Sequence, residues 1–447
     1  MKRPIFSMLQ NAGVRTSLHM PGHHGKALFQ YDFFGLDTTE LPITDNLYAP
    51  QTAIAEAQAL LAQSCNVAHA HFLHNGATAG IQAMLLYAKH KGNKIILQRN
   101  SHISVYNYCA ILNLEPIFVY EHYTENGIPY VRAEDILQAM QANPNACAVL
   151  LTSPNYYGVC VDIATIAKCA HQLNMLVLVD EAHGAHLNWC KTIKNAGAYG
   201  ADIFVQSPHK TLPCLTSNAW ILNRTQDDAL LNQCLRMVQT SSPSFLNLMV
   251  MDDVRAYLEA HADIEAVQAS IAAFAQSLPK EIYHVLQQED VPCVLDTTRL
   301  VIQCAQGGYA VQTALANCHI DVEMADEKHI VCIVSMLPSK CKEQLQALQE
   351  ALSTIACITQ ISKVQRTNSK TIQVMPLQVA FYASKEEVPL AKSAGRICGT
   401  VAGFYPPGTP QIIWGEKIDE QLAKQFVSMP QDTTFGIFKG NILCVKE

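Results

Sequence analysis

Between residues 70 and 225, short apolar runs alternate with stretches of helical spacing. "NKIILQR" (93–99), "EPIFVY" (115–120), "ACAVLLTSPN" (146–155), "MLVLVDEAHG" (175–184), "ADIFVQSPHK" (201–210) and "SNAWILN" (217–223) read as strands. Helices are expected over "SHISVYNYCAIL" (101–112), "AEDILQAMQA" (133–142, with an acidic first turn) and "DIATIAKCAHQL" (162–173). Strands that are apolar without alternation are buried on both faces. The pattern therefore predicts an α/β fold with a mostly parallel central sheet covered by helices. In such sheets ligands collect beyond the carboxyl ends of the strands.

The remainder of the chain is organised differently. Residues 245–290 read as helical, and from about 295 a second unit begins with "TRLVIQC", "HIVCIVSM" and "CKEQLQALQEALSTI" as strand, strand and helix. A polar stretch near 362–371 precedes "GFYPPGTPQIIWGEKI", a Pro/Gly-stiffened segment ending in a strand. This divides the chain into an N-terminal arm (1–48), a large domain (49–290) and a smaller C-terminal α+β domain (291–447).

Composition narrows the class. The 447 residues are 49% hydrophobic and only 15% charged, which suits a compact globular protein with a large core. A net charge of −7 gives no electrostatic reason to expect nucleic acid. No apolar run reaches the roughly 18 residues that span a bilayer, so no membrane partner is expected. The N-terminus makes a poor signal peptide, and a cytoplasmic protein is expected. The sixteen cysteines are scattered without a C-x-x-C pair, which reads as buried free thiols. Among the seventeen histidines, neither "PGHHGK" nor "HGAH" has favourable ligand spacing, so no metal is expected.

Chemistry gathers where the apolar strands stop. "LVLVDEAHGAH" runs a strand into Asp180, Glu181 and His183, a costly place for a carboxylate without a positive partner. "IFVQSPHK" runs another into Ser207, His209 and Lys210. "HFLHNGATAG" leads through Gly76, Ala77 and Thr78 into a helical pattern, a turn whose amides suit a phosphate. A phosphate cradle, a carboxylate and a lysine on strand ends match the needs of pyridoxal 5'-phosphate. The lysine forms a Schiff base with its aldehyde, and the carboxylate keeps its ring nitrogen protonated. Each of these features alone is weak.

Together with "MPGHHG" (20–25), "DTTELPITDNL" (37–47), "FLHNGATAGIQAM" (72–84), "RNSHISV" (99–105), "LTSPNYYGVCVDI" (151–163), "VDEAHGAH" (179–186), "GADIFVQSPHKTLPCLT" (200–216), "QTSSPSF" (239–245) and "YPPGTP" (405–410), they resemble one family along nearly the whole chain. That family is the bacterial ornithine/lysine/arginine decarboxylases, whose fold is type I, like that of aspartate aminotransferase. The resemblance implies that Lys210 is the Schiff-base lysine and that Asp180 pairs with the pyridine nitrogen. It implies that Ala182 packs on one face of the ring, that His102 stacks on the other, and that His183 lies near the phenolic oxygen. Gly76, Ala77, Thr78, Ser207 and His209 would bind the phosphate. Thr240 resembles a phosphate contact from a second subunit, which implies a homodimer with shared sites. Tyr156 and Tyr157 are read as packing residues.

Some positions depart from the family pattern. The phosphate turn is Gly-Ala-Thr where Gly-Ser-Thr is usual, and Pro208 replaces a threonine. "PGHHGK" and "TDNLY" also differ. The large N-terminal wing domain of longer members is absent, which removes the expectation of their decamers. The implied activity is decarboxylation of arginine, lysine or ornithine to the amine and CO2. A basic substrate needs an acid at the far end of its pocket; Glu40 and Asp45 are candidates that sequence alone does not place there. Two other readings stay open at this level: a same-fold enzyme with another amino acid or another bond to break, and a non-catalytic binding protein.

Overall fold

The computed structural model describes residues 3–11, 15–41, 43–355, 371–404, 409–429 and 433–446. The apolar runs form one seven-stranded sheet. Its strands are β1 (His69–Leu73), β2 (Lys94–Gln98), β3 (Glu115–Val119), β4 (Ala148–Thr152), β5 (Leu176–Asp180), β6 (Ile203–Gln206) and β7 (Ala219–Asn223). Their spatial order is β1-β7-β6-β5-β4-β2-β3. β3, β2, β4, β5 and β6 are parallel, whereas β7 runs antiparallel to both β6 and β1.

Side-chain alternation explains why these strands lack a polar face. On β5, Val177 and Val179 enter one hydrophobic cluster while Leu176 and Leu178 enter the other. Helices α1 (Gly76–Lys89) and α2 (Ile103–Leu112) cover the second side with Met84, Leu85, Val105 and Cys109. Helices α3 (Ala133–Ala142) and α4 (Ile163–Gln172) cover the first with Ile136, Met140, Ile166 and Ala170. With both faces buried, polar side chains are confined to the strand ends.

The helical reading of 245–290 holds only in its first two thirds. Helices α5 (Phe245–His261) and α6 (Ile264–Ser277) are separated at Asp263, whose carboxylate caps α6 by accepting from Ala266 N at 3.1 Å. The chain then enters a short strand, β8 (Tyr283–Val285), beyond Pro279, which has no N–H to extend the helix. β8 opens a second, antiparallel sheet with β9 (Arg299–Cys304), β10 (Met324–Ala325) and β11 (His329–Ile333), in the order β8-β9-β11-β10.

Both ends of the chain are built into this frame. Thr16–Leu18 pairs in parallel with Ile320–Val322, and Gly22 N donates to His209 O at 2.8 Å. Toward the C-terminus, Leu377, Ala380, Ile413 and Trp414 join the cluster under α1 and α2. A buried pair fastens this segment beside the "RNSHISV" turn: Arg99 donates to both Glu416 oxygens at 3.2 and 2.8 Å and to Pro410 O at 2.9 Å. The polar stretch and most of "YPPGTP" lie outside the described residues, at 356–370 and 405–408. The described cysteines are free and mostly buried. Among the described residues no helix is long and apolar enough to cross a membrane.

Candidate active site

The parallel strands all end on one side, and there they enclose a cavity of about 610 Å³. Each strand end delivers part of its wall. Gly76, Ala77 and Thr78 come from the β1–α1 turn and His102 from the β2–α2 turn; Asp180, Ala182 and His183 follow β5, and Ser207, His209 and Lys210 follow β6. Ten of the eleven residues that the resemblance assigns to the cofactor thus share one cavity. The other, Thr240, is exposed outside it, its hydroxyl accepting from Ser242 N at 3.2 Å.

At one end the cavity is built for an anion. Gly76 turns the chain into α1 with φ +72°, a left-handed conformation that glycine adopts without cost. The first-turn amides of a helix have no partner within it, and the N-cap residue Asn75 makes no side-chain cap to them. In the same cavity, Ser207 Oγ is buried with no hydrogen-bond partner. His209 donates Nδ1–H to Asn218 O at 2.6 Å, and burial pulls its pKa down to about 4.

The next group is acid, amine and imidazole. Asp180 is buried, and its Oδ1 accepts from Ala182 N at 3.1 Å. Burial lowers the pKa of Lys210, with Arg299 reinforcing this and Asp180 and Glu323 opposing it. His102 caps α2: its Nδ1 accepts from Ser104 N at 3.3 Å and lies 2.8 Å from Ser104 Oγ, so the neutral ring carries its proton on Nε2. Helix capping and cavity lining therefore coexist in one residue. Burial lowers the His102 pKa; Asp180 opposes the shift and Lys210 adds to it.

His183 links the two sheets. Its Nε2 lies 3.4 Å from Lys210 Nζ, and its Nδ1 lies 3.0 Å from Arg299 Nη2 on β9. The Tyr156 ring stands 4.5 Å from it. The second histidine of "HGAH" has separate work: His186 Nε2 lies 3.0 Å from Asp296 Oδ2 and 2.9 Å from Thr298 Oγ1.

At the far end the acids differ from those considered from sequence. Neither Glu40 nor Asp45 lines the cavity. Asp45 instead accepts from the amides of Asn46, Gln51, Thr52 and Ile54 at 2.8–3.0 Å and organises its own loop. The acids on the wall are Glu121, Asp326 and Glu327. Glu121 follows the end of β3, so the strand-end rule that picked out Asp180 would have found it. Asp326 and Glu327 lie in the β10–β11 turn of the other sheet, where nothing local marks them. Tyr156 and Tyr157 also line the wall, and Tyr157 donates its hydroxyl to Asp326 at 2.6 Å.

Comparison with known proteins agrees with this layout. The model of the family described as Orn/Lys/Arg decarboxylase, major domain, matches residues 3–298. YaaO of Bacillus subtilis, an uncharacterised protein, is 32% identical over 95% of this chain and 94% of its own. The Bacillus subtilis arginine decarboxylase is 30% identical over 94% of this chain and 91% of its own. Among solved structures, lysine decarboxylase A from Pseudomonas aeruginosa superposes with a TM-score of 0.77 at 17% identity, covering 93% of this chain and 75% of that one. Matched along its length in sequence and in fold, the chain belongs to the Orn/Lys/Arg decarboxylase family of fold type I, pyridoxal-phosphate-dependent amino-acid decarboxylases.

Proposed function

We propose that this cavity holds pyridoxal phosphate on Lys210 and decarboxylates a basic amino acid, with arginine the first candidate. The observation that carries the reading is convergence: Lys210, Asp180 and His102 line one cavity with an uncapped helix N-terminus at its edge. The residues fit the cofactor. Ser207 Oγ is a buried hydroxyl without a partner, suited to a phosphate oxygen, and the first amides of α1 add donors. His209 fits less simply: with Nδ1–H committed to Asn218, the neutral ring offers a lone pair at Nε2. It donates to phosphate only as an imidazolium, which a bound dianion favours.

When bound, pyridoxal phosphate supplies an electron-poor ring that accepts the electron pair left by the departing carboxylate. The chain's side chains set the conditions for that. Burial favours the free amine of Lys210, the form that attacks an aldehyde. Asp180, with one oxygen occupied by Ala182 N–H, keeps the other for a protonated ring nitrogen. Ala182 and His102, both on the cavity wall, would hold the ring between them. Lys210 and His102 are the groups that would return a proton to the substrate α-carbon. Glu121, Asp326 and Glu327 outnumber the one lysine beside them, Lys328, and a net-acidic wall suits an ammonium or guanidinium.

The choice of arginine rests on the Bacillus subtilis relative named for it. Carbon dioxide release from arginine, lysine, ornithine and a neutral amino acid tests the substrate class. A cofactor-coloured protein that decarboxylates none of the three basic substrates ends the proposal. We also infer that two copies share each site, because Thr240 is exposed away from its own cavity and suits a phosphate contact in a neighbouring one. Thr240→Ala then weakens cofactor binding in the assembled protein; unchanged affinity removes the inference.

A further inference from the structure

We propose that Arg299 is a positioning residue that fixes the tautomer of His183, so that His183 presents an N–H at Nε2 to the amine of Lys210. The inference starts from what a guanidinium can do. It has five N–H donors and no acceptor. Arg299 Nη2 lies 3.0 Å from His183 Nδ1, so that nitrogen must offer a lone pair. The ring is neutral as well. Burial drives its pKa well down, and the basic groups of Lys210 and Arg299 push the same way. Its single proton is therefore on Nε2, the atom 3.4 Å from Lys210 Nζ.

This proton constrains Lys210 in turn. An ammonium has three donors and no lone pair, so an N–H aimed at it sets donor against donor. A free amine accepts. The Arg299–His183 pair thus favours the uncharged amine, in the same direction as burial, while Asp180 and Glu323 favour the ammonium. The amine that must attack an aldehyde is held ready by a residue that does not line the cavity.

Packing shows how tightly Arg299 is held. The side chain is buried, and Nη1 has no hydrogen-bond partner. A guanidinium in that condition is expensive to bury and is a poor choice for mere filling. Gly158, at φ +84°, makes room for it; a Cβ there would fall 2.8 Å from Arg299 Cβ. The Tyr156 ring, 4.5 Å away, limits reorientation of the His183 ring.

The consequence for Lys210 rests on its role as the cofactor lysine; the tautomer itself does not. Two measurements keep these apart. In the 15N-histidine-labelled full chain, with His183 assigned by its loss in His183→Asn, the expected signals are a lone-pair nitrogen at Nδ1 and an N–H at Nε2. A proton on Nδ1, or a ring that titrates through neutral pH, overturns the proposal without any change at Arg299. In the cofactor-loaded protein, Arg299→Met is expected to move the pH midpoint of the visible absorbance upward by about one unit. In a His183→Asn background the same substitution should move it less than half as far. Equal shifts in the two backgrounds mean that Arg299 acts only through space, and they overturn the relay. Absence of any visible band in the unmodified protein sinks the cofactor assignment instead, and leaves the NMR result to decide the tautomer.

Discussion

Asp180 and Glu181 are adjacent carboxylates at the end of one strand, both buried, and they serve opposite sides of the molecule. Asp180 faces the cavity, in the electrostatic reach of Lys210 and His102. Glu181 faces the core, where Oε1 accepts from Ala196 N at 2.8 Å and Oε2 from Gln206 Nε2 at 2.6 Å. Successive side chains on a strand point to opposite faces, so one residue of register separates chemistry from scaffolding. Of two neighbours with the same functional group, the one whose second oxygen is left uncommitted is the one placed to meet a ligand.

Removing the amine on the cavity side has the largest expected effect. Lys210→Ala should abolish both turnover and the visible band; a coloured, active variant measured without added amine would refute the assignment. Asp180→Asn keeps the shape and loses the charge, and decarboxylation should fall by about 10²-fold or more in a steady-state CO2 assay. Glu181→Gln sharpens the contrast. It turns an acceptor into a donor facing Gln206 or the Ala196 amide, so urea unfolding should show a loss of about 1–3 kcal/mol with turnover changed only a few-fold. Comparable activity losses at 180 and 181 would erase the distinction. Ser207→Ala should weaken cofactor affinity by about tenfold, the worth of one hydrogen bond to a charged group. Stability should be unaffected, since that hydroxyl has no partner in the protein.

The smallest effect is in pH dependence, where buried acids on the two sides have opposite signs. Burial pushes the Glu181 acid well up, beyond what its donors recover. The folded protein then binds that proton more readily than the unfolded chain, so this residue's contribution to stability declines as pH rises above its ordinary 4.5. On the cavity wall burial also acts upward on Asp326, but hydrogen bonds from His329 and Tyr157 outweigh it and hold the acid at about 2. Its contribution is complete above the ordinary 3.8 and is lost as pH falls toward about 2. Denaturant midpoints in acid should therefore become less pH-sensitive in Asp326→Asn; an unchanged acid limb would remove this account.

Much of the site was legible because its parts are local. Gly76–Ala77–Thr78, Asp180 and Lys210 each follow an apolar run within a few residues, and the ends of parallel strands must lie together. Glu121 obeyed the same rule and was overlooked; its strand lies at the sheet edge. Glu40 and Asp45, candidates that sequence did not place, are not on the wall of their own chain's cavity: proximity to a family-like segment says nothing about direction, and Asp45 spends its carboxylate on four nearby amides. Asp326, Glu327 and Arg299 belong to another sheet and its turns, and reach the site only through the packing of the two sheets.

The sequence by itself determined the doubly covered parallel sheet and the identity of the groups at its strand ends, because burial on both faces and strand periodicity are local properties of the chain. Tertiary structure alone decided which face each acid serves, how His183 is protonated and which carboxylates close the far wall. Those depend on contacts such as Arg299 with His183, more than a hundred residues apart in sequence. Hydrogen-bond direction and desolvation are set by the neighbours a fold supplies, and no local pattern records them.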